Sequence, residues 1–210
     1  MKERGLKLGP ASEVPGSLIR AIANIAEENP GTLRLFYGED TLPTPDFIKR
    51  AGQAAIDQNL TYYTPNAGYL SLRRAIADQV RSLHKIEIDP AKDITVTASG
   101  MVAMVLAFQA TLGAGDSAIV VTPLWPNIAS GIRVLGAKAI EVPLAFSDEG
   151  FSLDLDRIEA AIEPATKLIA LASPGNPTGW TATSEDCETS SPSAKSTTSG
   201  CWPMGFTNGS

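Results

Sequence analysis

Three short stretches place reactive groups where the backbone itself is constrained. Leu171-Ala-Ser-Pro-Gly-Asn176-Pro177-Thr178-Gly179 follows an apolar run, Leu168 to Ala172, that reads as a buried strand. Its prolines and glycines force a turn. The Asn176 carboxamide is thereby delivered to the strand's C-terminal end, where open α/β sheets bind ligands. Ser99-Gly100-Met101 opens an apolar helical run. Glycine there lets the backbone come close to a ligand, and the unpaired N–H groups of a helix start attract an anion such as phosphate. Trp125, in Trp125-Pro126-Asn127, follows a further apolar run and sits on a proline-bounded turn. It offers a rigid flat surface for stacking, or else an ordinary core side chain.

Other chemistries lack their parts. The single histidine, His84, ends a charged helical stretch beside Lys85, with no serine or cysteine nucleophile motif to accompany it. The two cysteines, Cys187 and Cys201, both fall near the C-terminus, which leaves the body without a zinc site or a disulfide framework and implies a reduced, cytoplasmic setting. A net charge of -6 provides no basic surface for nucleic acid. Met101 to Phe108, the longest apolar stretch, is too short to cross a bilayer, and Met-Lys-Glu-Arg-Gly at the start lacks a secretory core. The sequons at Asn59 and Asn208 are patterns only. With 210 residues, 43% of them apolar and 19% charged, the chain can bury one sizeable core, or one domain and part of another.

The elements that position the three stretches follow from periodicity. Leu18, Ile22 and Ile25 share one face of a helix that Asn29-Pro30-Gly31 stops. An apolar strand is expected from Leu33 to Tyr37, then a loop stiffened by Pro43 and Pro45. Helices are expected from about Asp46 to Gln58 and from Tyr69 to His84, the second with Leu72, Ile76, Val80 and Leu83 at helical spacing. From Asp93 the pattern alternates. Strands at Ile94 to Thr97, Ala118 to Thr122, Ala139 to Val142 and Lys167 to Ala172 are separated by helices at Met101 to Leu112, Asn127 to Leu135 and 154 to 163. Such β-α-β repetition with apolar strands implies a largely parallel α/β sheet covered on both faces.

In this order and at these spacings Gly38, Pro45, Tyr63, Gly68, Gly100, Trp125 and Asn176 resemble the class I/II aminotransferases, the fold type I enzymes that use pyridoxal 5'-phosphate. Asn-Pro-Thr-Gly after a buried strand resembles the family signature whose asparagine hydrogen-bonds the phenolic oxygen of the cofactor. The resemblance implies that Gly100 and Met101 donate backbone N–H groups to the cofactor phosphate and that Trp125 stacks on its ring. Tyr63, in Tyr63-Thr64-Pro65-Asn66-Ala67-Gly68, resembles the loop whose tyrosine reaches the phosphate of a neighbouring subunit's cofactor, which implies a homodimer. Gly38 resembles the glycine lining the substrate carboxylate pocket. The implied activity transfers an amino group between an amino acid and a 2-oxo acid. The implied fold is an incomplete three-layer α/β/α large domain with an N-terminal segment of the small domain. A carbon–sulfur lyase, an S-adenosylmethionine-using synthase or a non-catalytic module on the same scaffold are the alternatives; for a transcription regulator, residues 1 to 30 supply no basic helix-turn-helix.

Two features depart from that pattern. The Schiff-base lysine, the aspartate that pairs with the pyridinium nitrogen and the C-terminal arginine are not matched by any residue, so the chain as written is expected to be inactive. After Trp180 the character changes: residues 181 to 210 hold thirteen serines and threonines with no apolar periodicity. Read in a shifted frame, the codons around Cys201 permit Leu-Ala-Asp-Gly-Val-Tyr-Glu-Arg, similar to the family's second cofactor motif. The expectation is a frame slip near Ser184 to Cys187. The expected organisation is 1–40 as arm and small-domain segment, 41–183 as partial cofactor-binding domain, and 184–210 as a structureless tail. Lys195 lies in that tail without family context.

Overall fold

Ser117-Ala-Ile-Val-Val-Thr122 is uncharged and mostly β-branched or small, and it forms an interior strand, β1, in the computed structural model, which describes residues 9–36, 38, 42–183 and 200–204. Such a run suits a strand with no solvent face. Ala118 and Ile119, pointing to opposite faces, are both 0% exposed. β2 (Lys138–Pro143) and β5 (Thr166–Ala172) flank β1, both parallel to it. The register sets Ile119 opposite Ile140 on one side and Ile169 on the other.

One face of this sheet packs on helix α6 (Leu155–Ala160). Its Ile158 joins Ile119, Val121, Val142, Leu144, Ile169 and Leu171 in a single buried cluster. Fully burying side chains of this size stabilises by about 1.5–3 kcal/mol each. Helix α5 (Asn127–Val134) packs against β1 and β2 with Ile128 and Ile132 buried. A hairpin of β3 (Ala145–Ser147) and β4 (Gly150–Ser152) lies between β2 and α6 in the sequence, with Phe146 and Phe151 ring to ring at 4.9 Å. The fold class is therefore α/β with a mainly parallel sheet, as expected.

The remaining helices are α1 (Leu18–Glu27), α2 (Asp46–Asp57), α3 (Leu70–His84) and α4 (Gly100–Thr111). Ser17 caps α1 by accepting from the Arg20 N–H, and Lys85 ends α3 in the left-handed conformation. The described chain divides into two compact units: Ser17–Ala103, and the residues from Met104 onward with those before Ser17. This differs from the division expected at residue 40. Between Ser17 and Ala103 no described residue joins the sheet, so the helical portion coheres by itself.

Several expectations need correction. No strand forms at Leu33–Phe36, where Leu33 and Leu35 are exposed. Ile94–Thr97 forms none either, although the Val96 N–H bonds the Ala67 carbonyl at 3.0 Å. Both stretches have the apolar alternation of strands but no partner among the described residues to complete a ladder. The apolar face of α1 is open: Ile22 and Ile25, with Leu33 and Leu35, line a groove of about 590 Å³. The tail is not without order throughout. Gly200–Met204 forms β6, parallel to β5, setting Leu171 opposite Pro203. The outer edge of β5 offers unpaired backbone groups to any extended segment, and a proline is tolerated on an outermost strand. The proposed frame slip at 184–187 lies outside the described residues.

Candidate functional site

β1 and β5 are neighbours and run in the same direction, so the turns that follow them leave the same edge of the sheet. Trp125 is on the first turn and Asn176 on the second. After Thr122 the chain turns through Pro123 to Pro126, and the Trp125 carbonyl accepts from the Ile128 N–H at 3.2 Å as α5 begins. With Ile128 buried one turn on, Trp125 is held half-buried between strand and helix.

The second turn is braced across itself. The Gly175 N–H donates to the Trp180 carbonyl at 2.7 Å and the Gly179 N–H to the Gly175 carbonyl at 2.8 Å. The Trp180 N–H donates to Thr178 Oγ1 at 3.2 Å, and the Ala182 N–H to Ser173 Oγ at 2.9 Å. Gly175 gives the turn room: a Cβ there would stand 2.7 Å from Thr178 Oγ1, and the hydroxyl would have to move. Asn176 sits at the exposed crest, and its carboxamide makes no hydrogen bond among the described residues.

The other unit contains Gly38, Tyr63, Gly100 and Met101. Ser99 caps α4, its Oγ accepting from the Val102 N–H at 3.2 Å. The Gly100 and Met101 N–H groups are left without a partner among the described residues, as the first donors of a helix are. Tyr63 is fully exposed. Its loop is closed by the Gly68 N–H donating to the Pro65 carbonyl at 2.8 Å. Gly38 is exposed. The structure thus brings Trp125 and Asn176 to one edge and sets Gly100 beside Met101; Gly38 and Tyr63 each lie on a segment of their own.

Sequence reading missed Arg73. Its Nε donates to the Gly68 carbonyl at 3.2 Å, and one terminal nitrogen donates to the Pro90 carbonyl at 2.6 Å and the Ala91 carbonyl at 3.2 Å. One guanidinium therefore ties the Tyr63 loop to the segment before Val96. The available signal was its place four residues before Ala77, the buried residue of α3.

Residues 34–196 match the profile of the family described as aminotransferase class I and II. The chain belongs to that family. It is 33% identical to the aspartate aminotransferase of Pyrococcus abyssi, over 82% of this chain and 44% of the relative. It is 34% identical to the aspartate/prephenate aminotransferase of Thermus thermophilus, over 84% of this chain and 46% of the relative. Among solved structures, an aspartate aminotransferase from Thermus thermophilus with maleate superposes at a TM-score of 0.81 and 33% identity, covering 92% of this chain and 51% of that one. The chain spans about half the length of the relatives it matches.

Enzymes of this family use pyridoxal 5'-phosphate, a phosphorylated aromatic ring bearing a phenol. The groups left open here suit it. In one unit Asn176 has a carboxamide without a partner among the described residues and Trp125 presents an indole on the neighbouring turn, which suit a phenol and an aromatic ring; in the other unit, taken by itself, the start of α4 has N–H donors without a partner among the described residues, which suit a phosphate.

Proposed function

We propose that this chain is the cofactor-binding part of a pyridoxal-phosphate-dependent aminotransferase that moves an amino group between an amino acid and a 2-oxo acid. The observation that carries the reading is the shared sheet edge of Trp125 and Asn176 in a member of this family. When bound, the cofactor supplies a ring that stabilises negative charge at the α-carbon of the amino acid. The residues of this chain bind and orient. The Asn176 carboxamide N–H donates to the phenolic oxygen, and Trp125 supports the ring face. Gly100 and Met101 donate backbone N–H groups to the phosphate. Tyr63 reaches the phosphate held by a second copy of the chain, and Gly38 lines the pocket for the substrate carboxylate. A homodimer in the cytoplasm follows from this assignment.

The names of the relatives span aspartate, prephenate and aromatic substrates, so the amino donor is left at the level of α-amino acids. The 210-residue sequence has no lysine matched to the family's Schiff-base position. We expect saturable binding of pyridoxal 5'-phosphate by this polypeptide and no amino-group transfer. Equilibrium dialysis, with a coupled assay for 2-oxo acid, measures both. Transfer by the purified chain, or absence of any saturable binding, would overturn the assignment. The gene sequence beyond codon 184 tests the frame slip directly.

A further inference from the structure

Asn176 is the chain's proposed contact to the cofactor phenol, yet its own side chain has no partner to fix its direction among the described residues. Whatever aims the carboxamide must act through the backbone on either side. Both sides lead to Trp180. Its carbonyl holds the Gly175 N–H at 2.7 Å, immediately before Asn176. Its N–H holds Thr178 Oγ1 at 3.2 Å, past Pro177. The indole itself is packed against the buried cluster that contains Ile119 and Val121 of β1 and Ile169 and Leu171 of β5. Those two strands deliver Trp125 and Asn176 to their common edge.

We infer that Trp180 is a positioning residue for Asn176: its indole, packed against the core, anchors the far end of the turn, and its main chain sets the residues flanking the carboxamide. The inference rests on the cofactor reading for the role of Asn176, and on the turn geometry alone for the role of Trp180. An exposed turn without an anchor samples many backbone states, and a donor that must meet one oxygen loses affinity for each of them. A side chain packed against the sheet core removes that freedom without touching the ligand.

The test uses the 210-residue chain with Trp180→Ala, Trp180→Phe, Ser173→Ala and Asn176→Ala, reading amide exchange of the turn and the absorption of bound pyridoxal 5'-phosphate. Trp180→Ala is expected to speed exchange at Gly175 and Gly179 by about tenfold or more. It should also shift the bound cofactor toward the neutral phenol, in the same direction as Asn176→Ala. Trp180→Phe, which keeps a ring in the core, should restore both. Ser173→Ala removes the bond to Ala182 without disturbing the core, and should give a smaller change of the same sign. Unchanged exchange at Gly175 in both Trp180→Ala and Ser173→Ala overturns the inference. So does a wild-type cofactor spectrum in Trp180→Ala when Asn176→Ala alters it. If Asn176→Ala itself leaves the spectrum of the bound cofactor unchanged, the cofactor reading of Asn176 fails, and the exchange data alone decide for or against Trp180 as the anchor of the turn.

Discussion

A Cβ built on Gly68 would stand 2.8 Å from Cβ of Val96, and Gly68 itself has a φ of +86°. Both facts exclude a side chain at that position. A left-handed backbone costs an L-residue roughly 1–2 kcal/mol, and crowding against a branched, stiff neighbour adds roughly 1–3 kcal/mol. Gly68→Ala should therefore destabilise by about 2–5 kcal/mol, read as a lower midpoint in urea. A midpoint equal to wild type would show that the Tyr63 loop does not close against Val96.

Arg73 secures the same loop by charge-assisted hydrogen bonds to the Gly68, Pro90 and Ala91 carbonyls. Bonds of this type are each worth about 1.5–3 kcal/mol where they are sheltered from water. Arg73→Met keeps most of the stem and removes all three, so cleavage by a protease at 60–68 and 89–92 should accelerate. Arg73→Lys should behave nearly as badly, because an ammonium lacks the planar fork that reaches separate acceptors together. Equal cleavage in all three proteins would count against the clamp.

Asn176→Ala and Trp125→Ala separate binding from stability in different ways. The Asn176 carboxamide is exposed and has no partner among the described residues, so its loss should change stability by no more than about 0.5 kcal/mol. Affinity for pyridoxal 5'-phosphate should fall about tenfold all the same, as for one lost hydrogen bond to a charged group. Trp125→Ala should lower affinity by a similar factor and also lower the midpoint, since the indole is half-buried. A stability loss for Asn176→Ala as large as that for Trp125→Ala would contradict this account.

Ile119 is 0% exposed at the centre of the sheet cluster. Ile119→Ala leaves a cavity that its neighbours in the flanking strands cannot collapse into, and should cost about 2–5 kcal/mol. Glu141→Gln removes the surface ion pair with Arg133 and should cost less than about 1 kcal/mol, with the difference vanishing at high salt. Denaturation of both variants at two ionic strengths checks the contrast.

The strands of the parallel sheet were legible because burial on two faces writes an uninterrupted apolar run, as in Ala118 to Val121 and Leu168 to Ala172. The same rule misled at Leu33 to Phe36, since a run of the right type says nothing about whether a partner strand is at hand. Short hairpins such as 145–152 have too little periodicity to register. For the site, Trp125 and Asn176 could be placed at strand ends individually. That the two strands are neighbours is a tertiary fact, set by which apolar faces pack together. Arg73 escaped notice because its partners are carbonyls, which no side-chain pattern reports. Trp180 marked only the point after which the apolar pattern stops, and nothing in the sequence showed that its side chain packs against the sheet core.

The strand order also has an outermost member on the side away from β5. Among the described residues β2 ends that side, with exposed Lys138, Glu141 and Pro143. Two charges and a residue with no N–H make a poor template, so a stray extended chain gains little by docking there. Fibrillar growth, if this protein is pushed toward it by heat or concentration, is thereby discouraged from that flank.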